Sequence, residues 1–173
     1  DSLGIDKNKP KKQQRNQTGS PILEEGDILL NTTLAETSDW QQVDLPVVST
    51  LRHFCIETLS SYTEDNQACI SEVDLLDDKG QPIDKTKWEV VYISSEQADK
   101  NLGVAENLFD GDISSFWHTD PATEPGQPHR IIVDIKEIYK ISALRFKVRK
   151  GAFLSGKVKE INVYGRPQFF LFH

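Results

Sequence analysis

Two acidic side chains and a hydroxyl group stand close together in residues 107–119, NLFDGDISSFWHT. Asp110, Asp112 and Ser115 offer hard oxygen atoms at spacings that can surround one cation, and Ca²⁺ takes roughly six to eight such ligands. Gly111 permits the backbone geometry of a tight loop. The same spacing is also typical of a plain Asp-Gly turn. From spacing alone, a calcium loop and an ordinary turn both stay open.

The same segment ends in FWHT, whose rings could bind a ligand or fill a core. A Trp in an aromatic pair at a strand edge is typical of core packing, so we expect Trp117 to be buried. His118 alone is typical of a satisfied structural residue, although an imidazole can also hydrogen-bond a ligand. The elements that position these residues therefore decide their role.

Composition limits the classes of function. The 173 residues suffice for one domain with a real core, while 37% apolar residues and a mean hydropathy of −0.49 indicate that part of the chain is a solvated tail. A net charge of −7 repels phosphate backbones, so no nucleic-acid partner is expected. No apolar run approaches the roughly 20 residues of a membrane helix, so no membrane insertion is expected.

Residues 1–22 are polar and aperiodic, which predicts a flexible linker or arm ahead of a domain over residues 23–173. Because the chain opens on Asp1 rather than Met, we expect that a leader or upstream region was removed. Cys55 and Cys69 form no C-x-x-C motif. One disulfide and two buried free thiols are both compatible with this pair.

From residue 27 onward the sequence predicts short strands separated by turns. Segments such as WEVVYISS, RIIVDI, KISALRFKV and KVKEINVYG are rich in Val, Ile, Tyr and Phe. Alternation in WQQVDLPVV places Val43, Leu45 and Val47 on one face. The nearest approach to a helical stripe is residues 98–108, where Gly103 limits it to one or two turns. About eight strands without long helices predict an all-β sandwich or barrel.

Several motifs in order resemble one known family. SSEQADKNLGVAENLFDGDISSFWHT, PHRIIVDI, ISALRFKVRKG and GKVKEINVYG, within about residues 88–165, resemble the discoidin domain, also called the coagulation factor 5/8 type C domain. The likeness is nearest to the galactose-binding-like carbohydrate-binding modules of bacterial glycoside hydrolases and sialidases. It implies an all-β fold, an eight-stranded jelly-roll β-sandwich.

The order of the motifs departs from the family. The matching block is the family's first half, yet little chain follows it, and residues 23–80 look like the closing half. The resemblance therefore implies a circularly permuted domain, with the family's C-terminal half at 23–80 and its N-terminal half at 86–165. Such a permutation is physically cheap because domain termini usually lie close together. The alternative, two half domains of a tandem array, would leave sheet edges exposed.

Family members often hold a structural calcium ion in the acidic loop. The resemblance assigns as ligands Asp110, Asp112 through its carbonyl, the hydroxyl of Ser115, carbonyls near Asn107, and Glu72 from the closing strand. Relatives usually have Thr at the Ser115 position, which keeps the hydroxyl. The ion would join the two halves of the chain, because Glu72 belongs to the other half.

Sugar-binding relatives hydrogen-bond a glycan with a His after the Trp, an Arg at the end of the L-x-Y-x-P-R strand and an acid in the S-S-E segment. The matching residues are His118, Arg149 and Glu96. These side chains suit a neutral polyol, because Arg gives two directed bonds and a carboxylate accepts two.

Three further residues complete the expected sugar site. Phe153 and Tyr62 are candidates for an aromatic platform, although both could equally cap the edge of the sandwich. Ser155 stands where galactose-binding relatives usually have Asn. We therefore expect a ligand site at this loop end without assigning its sugar.

No catalytic signature is visible: the sequence has no G-x-S-x-G, His-rich metal motif or glycine-rich phosphate loop. We therefore expect no enzyme. The resemblance implies a monomeric carbohydrate-binding module of a secreted or cell-surface bacterial protein, extracellular or periplasmic. It would direct a glycoside hydrolase of the same chain or complex, or a surface complex, to galactose-like or related glycans. The alternatives are an adhesion or protein-binding discoidin domain without a sugar site and, last, a catalytic domain of another type.

Overall fold

The computed structural model describes residues 19–122, 126–149 and 156–173. These residues form ten strands and three short 3-10 helices. The strands are β1 (Pro21–Ile22), β2 (Ile28–Thr33), β3 (Gln41–Thr58), β4 (Cys69–Ile70), β5 (Glu72–Asp77), β6 (Glu89–Ile93), β7 (Trp117–His118), β8 (His129–Lys147), β9 (Glu160–Arg166) and β10 (Leu171–Phe172). The 3-10 helices are Glu25–Asp27, Asp99–Asn101 and Ala105–Phe109.

Two long antiparallel strands, β3 and β8, pair along most of their length and pass through both layers of a sandwich. Residues 53–58 of β3 and 129–134 of β8 lie in one layer, in the order β2-β9-β3-β8-β6. Residues 41–51 of β3 and 139–146 of β8 lie in the other, in the order β3-β8-β5. Five strand segments therefore face three. This confirms the predicted eight-stranded all-β sandwich.

The pairing register of β3 and β8 shifts where these strands change layer. The shifts in β3 lie between Asp44 and Ser49 and between Leu51 and His53. Such bulges add extra residues to one strand and increase its local bend and twist. The sequence predicts two strands, RIIVDI and KISALRFKV, in place of β8, because the polar residues between them lie at the bend rather than at a strand end.

The bends also change which side chains are buried. The predicted alternation puts Val43, Leu45 and Val47 on one face, and Leu45 is indeed buried. Val47 is 71% exposed, because it lies inside the first register shift, where the two-residue period is lost.

A single main core fills the space between the layers. Trp117 is fully buried in it, as expected, and its indole N–H donates to the carbonyl of Ser95 at 3.1 Å. Trp88 packs edge-on against Phe54 with ring centroids 5.5 Å apart. Buried aromatic rings contribute large apolar areas to a core. The indole N–H of Trp117 has a hydrogen-bond partner, whereas that of Trp88 has none among the described residues.

Strands from both ends of the chain share one sheet. β3, from the first half, pairs with β8 and β9 from the second. The outermost strands also pair, since β1 is antiparallel to β10. Residues 21–22, which the sequence analysis assigns to the linker, therefore belong to the folded domain. Residues 1–18 lie outside the described part of the chain.

The predicted helical turn is split into two 3-10 helices, Asp99–Asn101 and Ala105–Phe109, on either side of Gly103. In the described residues, no helix is long and apolar enough to cross a membrane.

Both cysteines are buried free thiols, which decides between the two alternatives left open by the sequence. Burial raises the pKa of Cys55, and it raises the pKa of Cys69 to about 12. Both groups are therefore protonated and unreactive at neutral pH.

Candidate functional site

The acidic loop begins after the 3-10 helix Ala105–Phe109 and is held by its own oxygen atoms. Asp110 accepts the backbone N–H of Asp112 at 2.9 Å through one carboxylate oxygen and the hydroxyl of Ser115 at 2.6 Å through the other. The Ser115 hydroxyl also lies 3.0 Å from the carbonyl oxygen of Asp112. Three of the residues predicted to bind metal are therefore joined in one turn.

Glu72 brings the closing strand to this loop. Its carboxylate is buried at the start of β5, and Oε2 accepts the backbone N–H of Gly111 at 3.1 Å. The ammonium group of Lys85 contacts the same oxygen and lies 2.6 Å from Oδ1 of Asp74. Burial raises the pKa of Glu72 to about 7, although Lys85 acts in the opposite direction, and the charge of Asp110 adds to the increase.

The donor set has the chemistry that Ca²⁺ requires. Oε1 of Glu72 is buried and has no hydrogen-bond partner, and the loop adds a carboxylate, a carbonyl and a hydroxyl. Within the described residues, no cluster of three or more His, Cys, Asp or Glu side chains could hold a metal. A metal here would therefore depend on backbone and hydroxyl oxygens, and it would meet the competing ammonium of Lys85.

Asn107 stabilises the loop through side-chain hydrogen bonds. Its side-chain amide donates to the carbonyls of Asn101 at 3.3 Å, Leu102 at 3.4 Å and Phe116 at 3.0 Å. These bonds hold both ends of the acidic loop against each other.

Arg149 stands at the end of β8 and lies against an aromatic ring. Its guanidinium carbon is 4.1 Å from the ring centroid of Phe116, a cation–π contact. A hydrogen bond and the positive charge of Arg149 lower the pKa of Cys69, but burial outweighs both. The same charge contributes to a lowered pKa at His118, so the structure brings Arg149 and His118 into one neighbourhood.

His118 is only 2% exposed. Its Nδ1 lies 2.6 Å from the carbonyl oxygen of Thr119, so the ring donates from Nδ1. Burial is the main cause of the lowered pKa of His118, which keeps the imidazole neutral at pH 7. Gly103 packs so closely that an added Cβ would lie 3.0 Å from the Cβ of His118.

Glu96 reaches the same region and is also buried. Its Oε1 accepts the backbone N–H of Ala105 at 2.9 Å, at the start of the second 3-10 helix of this region. The neighbouring Gln97 donates its backbone N–H to the carbonyl of His118 at 2.9 Å. The structure therefore places the segments of Glu96 and His118 side by side, with both side chains less exposed than Arg149.

A pocket of about 240 Å³ opens beside Arg149. We call it the Arg149 pocket, and its lining consists of residues 35–38, Tyr62, Val148, Arg149, Lys157 and Val158. The hydroxyl of Tyr62 donates to the carbonyl of Leu34 at 2.8 Å, which fixes its ring in the wall. Two other predicted site residues, Phe153 and Ser155, lie outside the described residues.

Three residues of this region, Lys85, Phe116 and Lys157, are not predicted as site residues from the sequence. Lys85 is 13 positions from Glu72, and no local pattern links the two. Phe116 was visible as the neighbour of Trp117. Lys157 belongs to a basic stretch, KVRKGAFLSGKVK, and the positive charge of this stretch could have indicated a binding residue.

Comparison with known proteins identifies relatives of the second half of the chain. Residues 91–168 match the family model of the F5/8 type C domain. The chain is also similar to a sialidase of Micromonospora viridifaciens, with 32% identity over 84 residues. That alignment covers 47% of this chain and 13% of the sialidase. The chain therefore spans a small part of this relative's length.

Proposed function

We propose that this chain, whose residues 91–168 belong to the F5/8 type C or discoidin domain family, is a non-catalytic carbohydrate-binding module. The observation that supports this most directly is the Arg149 pocket, whose lining includes two residues expected to bind the sugar, Arg149 and Tyr62. The similarity to part of a sialidase adds support, because a sialidase is an enzyme that acts on glycans.

The chemistry of the proposed site suits a sugar. The guanidinium of Arg149 can donate two directed hydrogen bonds to neighbouring hydroxyls. The ring of Tyr62 offers an apolar face to the C–H side of a pyranose. His118 stays a proposed contact because an imidazole can hydrogen-bond a sugar hydroxyl. Its Nδ1 lies 2.6 Å from the carbonyl oxygen of Thr119. Glu96 completes the proposed contacts. Few contacts in a shallow pocket give weak affinity, roughly micromolar to millimolar.

The decisive experiment is titration calorimetry with a panel of galactose-like monosaccharides. We expect Arg149→Ala to weaken binding by about tenfold or more, because a hydrogen bond to a charged group contributes about 1.5–3 kcal/mol. Arg145→Ala is the matched control. Arg145 is also on the sandwich, and its Nε lies 3.3 Å from Oε1 of Gln42, away from the pocket lining.

Three outcomes would contradict this proposal. If Arg149→Ala binds as the unchanged protein does, the assigned site is wrong. If the unchanged protein binds no glycan on an array, the adhesion or protein-binding alternative replaces it. Turnover of chromogenic glycosides would make the chain an enzyme.

The proposed context is an extracellular bacterial protein that contains or accompanies a glycoside hydrolase. Tethering a binding module to a catalytic domain raises the effective concentration of substrate around that domain. The support is the alignment with the sialidase. Its test is the recovery of the chain, with its natural flanking sequence, from culture medium rather than from the cell interior.

We also propose that the domain is circularly permuted. Support comes from β3 of the leading half, which pairs with β8 and β9 of the trailing half, and from the contact of Glu72 with Gly111. The test is a rearranged chain in which residues 86–165 precede residues 23–80. It should fold cooperatively and bind the same sugar. A rearranged chain that stays unfolded contradicts the permutation.

Ca²⁺ in the acidic loop is a further proposal, supported by the partnerless Oε1 of Glu72 and the linked oxygens of Asp110, Asp112 and Ser115. These residues would hold the ion. When bound, it would supply a fixed positive charge that joins β5 to the loop.

A further inference from the structure

The Arg149 pocket is lined by residues from a basic stretch of an acidic protein. The net charge of the chain is −7, yet residues 147–159 contain five Lys or Arg residues and no Asp or Glu. This local excess attracts negative charge to one place on a surface that otherwise repels it.

Two of these cations line the pocket itself. Arg149 and Lys157 are both half-buried lining residues, and neither forms an ion pair with any other residue in the described part of the chain. Glu36 is the one acid among the described lining residues. Lys159 adds a third cation at the edge, where its Nζ lies 5.4 Å from the ring centroid of Tyr62.

The wall opposite these cations is fixed before any ligand arrives. The backbone N–H of Ala35 donates to the side-chain oxygen of Gln41 at 2.8 Å. The ammonium group of Lys147 donates to the carbonyl of Ser38 at 2.6 Å. Lys147 therefore stabilises the pocket wall through Ser38, and Arg149 and Lys157 are the two lining cations that can contact a ligand. A fixed wall lowers the ordering cost of binding.

We propose that the Arg149 pocket binds an acidic saccharide through an oxyanion, either a carboxylate or a sulfate group. The planar fork of Arg149 matches two oxyanion oxygens, and Lys157 adds a point charge. At about 240 Å³ the pocket is smaller than most drug-sized sites, so it suits one sugar residue. This inference rests on the proposed carbohydrate-binding function and specifies its ligand class.

Calorimetry with galactose, galacturonic acid and galactose 6-sulfate tests this inference. We expect at least one acidic sugar to bind about tenfold more tightly than galactose at low salt, since a charge-assisted hydrogen bond contributes about 1.5–3 kcal/mol. High salt should weaken only the acidic sugars, because it screens exposed charges. The two acidic probes distinguish a carboxylate from a sulfate.

Lys157→Gln should reduce the ratio of acidic-sugar affinity to galactose affinity by about fivefold or more, because it removes the point charge that an oxyanion uses. The hydrogen bond that Lys157 makes to the backbone N–H of Tyr62 uses its carbonyl, so the substitution leaves it in place. Lys79→Gln is the matched control, because it removes the same charge from an exposed turn outside the pocket. The control should keep the preference.

Each contrary outcome overturns a distinct claim. If galactose binds as tightly as both acidic sugars, the inference fails and the proposed function stands. If Lys157→Gln and Lys79→Gln reduce the preference equally, net charge rather than the pocket is responsible, and the inference fails. If no sugar binds, the proposed function and the inference both fail.

Discussion

At the scale of single residues, Lys85 contacts the same carboxylate oxygen of Glu72 that accepts the backbone N–H of Gly111 in the acidic loop. An ammonium group already neutralises one oxygen of Glu72, and it also lies 2.6 Å from Asp74. A calcium ion would compete with this ammonium for the same carboxylate. In the calcium proposal, Lys85 and the ion would therefore exclude each other at Glu72.

We predict that Lys85→Gln increases calcium affinity, because it removes the competing charge and frees Glu72 and Asp74. In thermal unfolding, saturating calcium should raise the Tm of this variant by about 3 °C or more, and by more than it raises that of the unchanged protein. Lys79→Gln should respond as the unchanged protein does. If EDTA and calcium give the same Tm in every variant, the metal proposal is wrong.

At the scale of strands, the sequence predicts which segments form strands better than it predicts where each strand ends. The Val- and Ile-rich segments become β3, β6, β8 and β9, as their alternation indicates. The joining of RIIVDI and KISALRFKV into β8 could not be predicted, because it depends on β3, a partner strand distant in sequence. Local patterns also place Trp117 in the core, but they say nothing of Lys85, which reaches Glu72 only after the turn folds.

The connection before β9 depends on Gly156. This residue has φ +75°, and an added Cβ would lie 2.9 Å from the backbone nitrogen of Cys69. We predict that Gly156→Ala lowers the free energy of unfolding by about 2 kcal/mol or more, since it combines left-handed strain with a backbone clash.

Gly80→Ala separates these two effects. Gly80 has φ +78°, but nothing lies within 4 Å of an added Cβ. Denaturant unfolding should therefore show a cost of only about 1 kcal/mol at this control position. Equal costs at the two glycines would show that the close contact with Cys69 does not matter.

At the scale of the whole molecule, buried histidines make the stability of the fold depend on pH. His53, His118 and His129 all have lowered pKa values, in each case mainly because burial disfavours the charged ring. Below their ordinary value of 6.5, the unfolded chain binds protons that the folded chain does not, so stability falls as pH falls. Glu72, with its pKa raised to about 7, acts in the opposite direction and offsets one of the three protons.

We therefore predict that the Tm decreases as the pH is lowered from about 7.5 to about 5.5. His129→Gln should flatten this dependence, because a glutamine amide can still donate to the carbonyl of Asn66, the partner of His129 at 2.6 Å, without titrating. His173→Gln, at an exposed position, should leave the slope unchanged. A Tm profile with the same slope in all three proteins would contradict the prediction.

Next to the pairing of β1 with β10, the backbone N–H of His173 donates to the carbonyl oxygen of Ser20 at 3.1 Å. The chain therefore enters the described fold and leaves it at neighbouring positions. We therefore expect that residues 20–173 can be inserted into a surface loop of an unrelated protein without moving the two ends of that loop far apart.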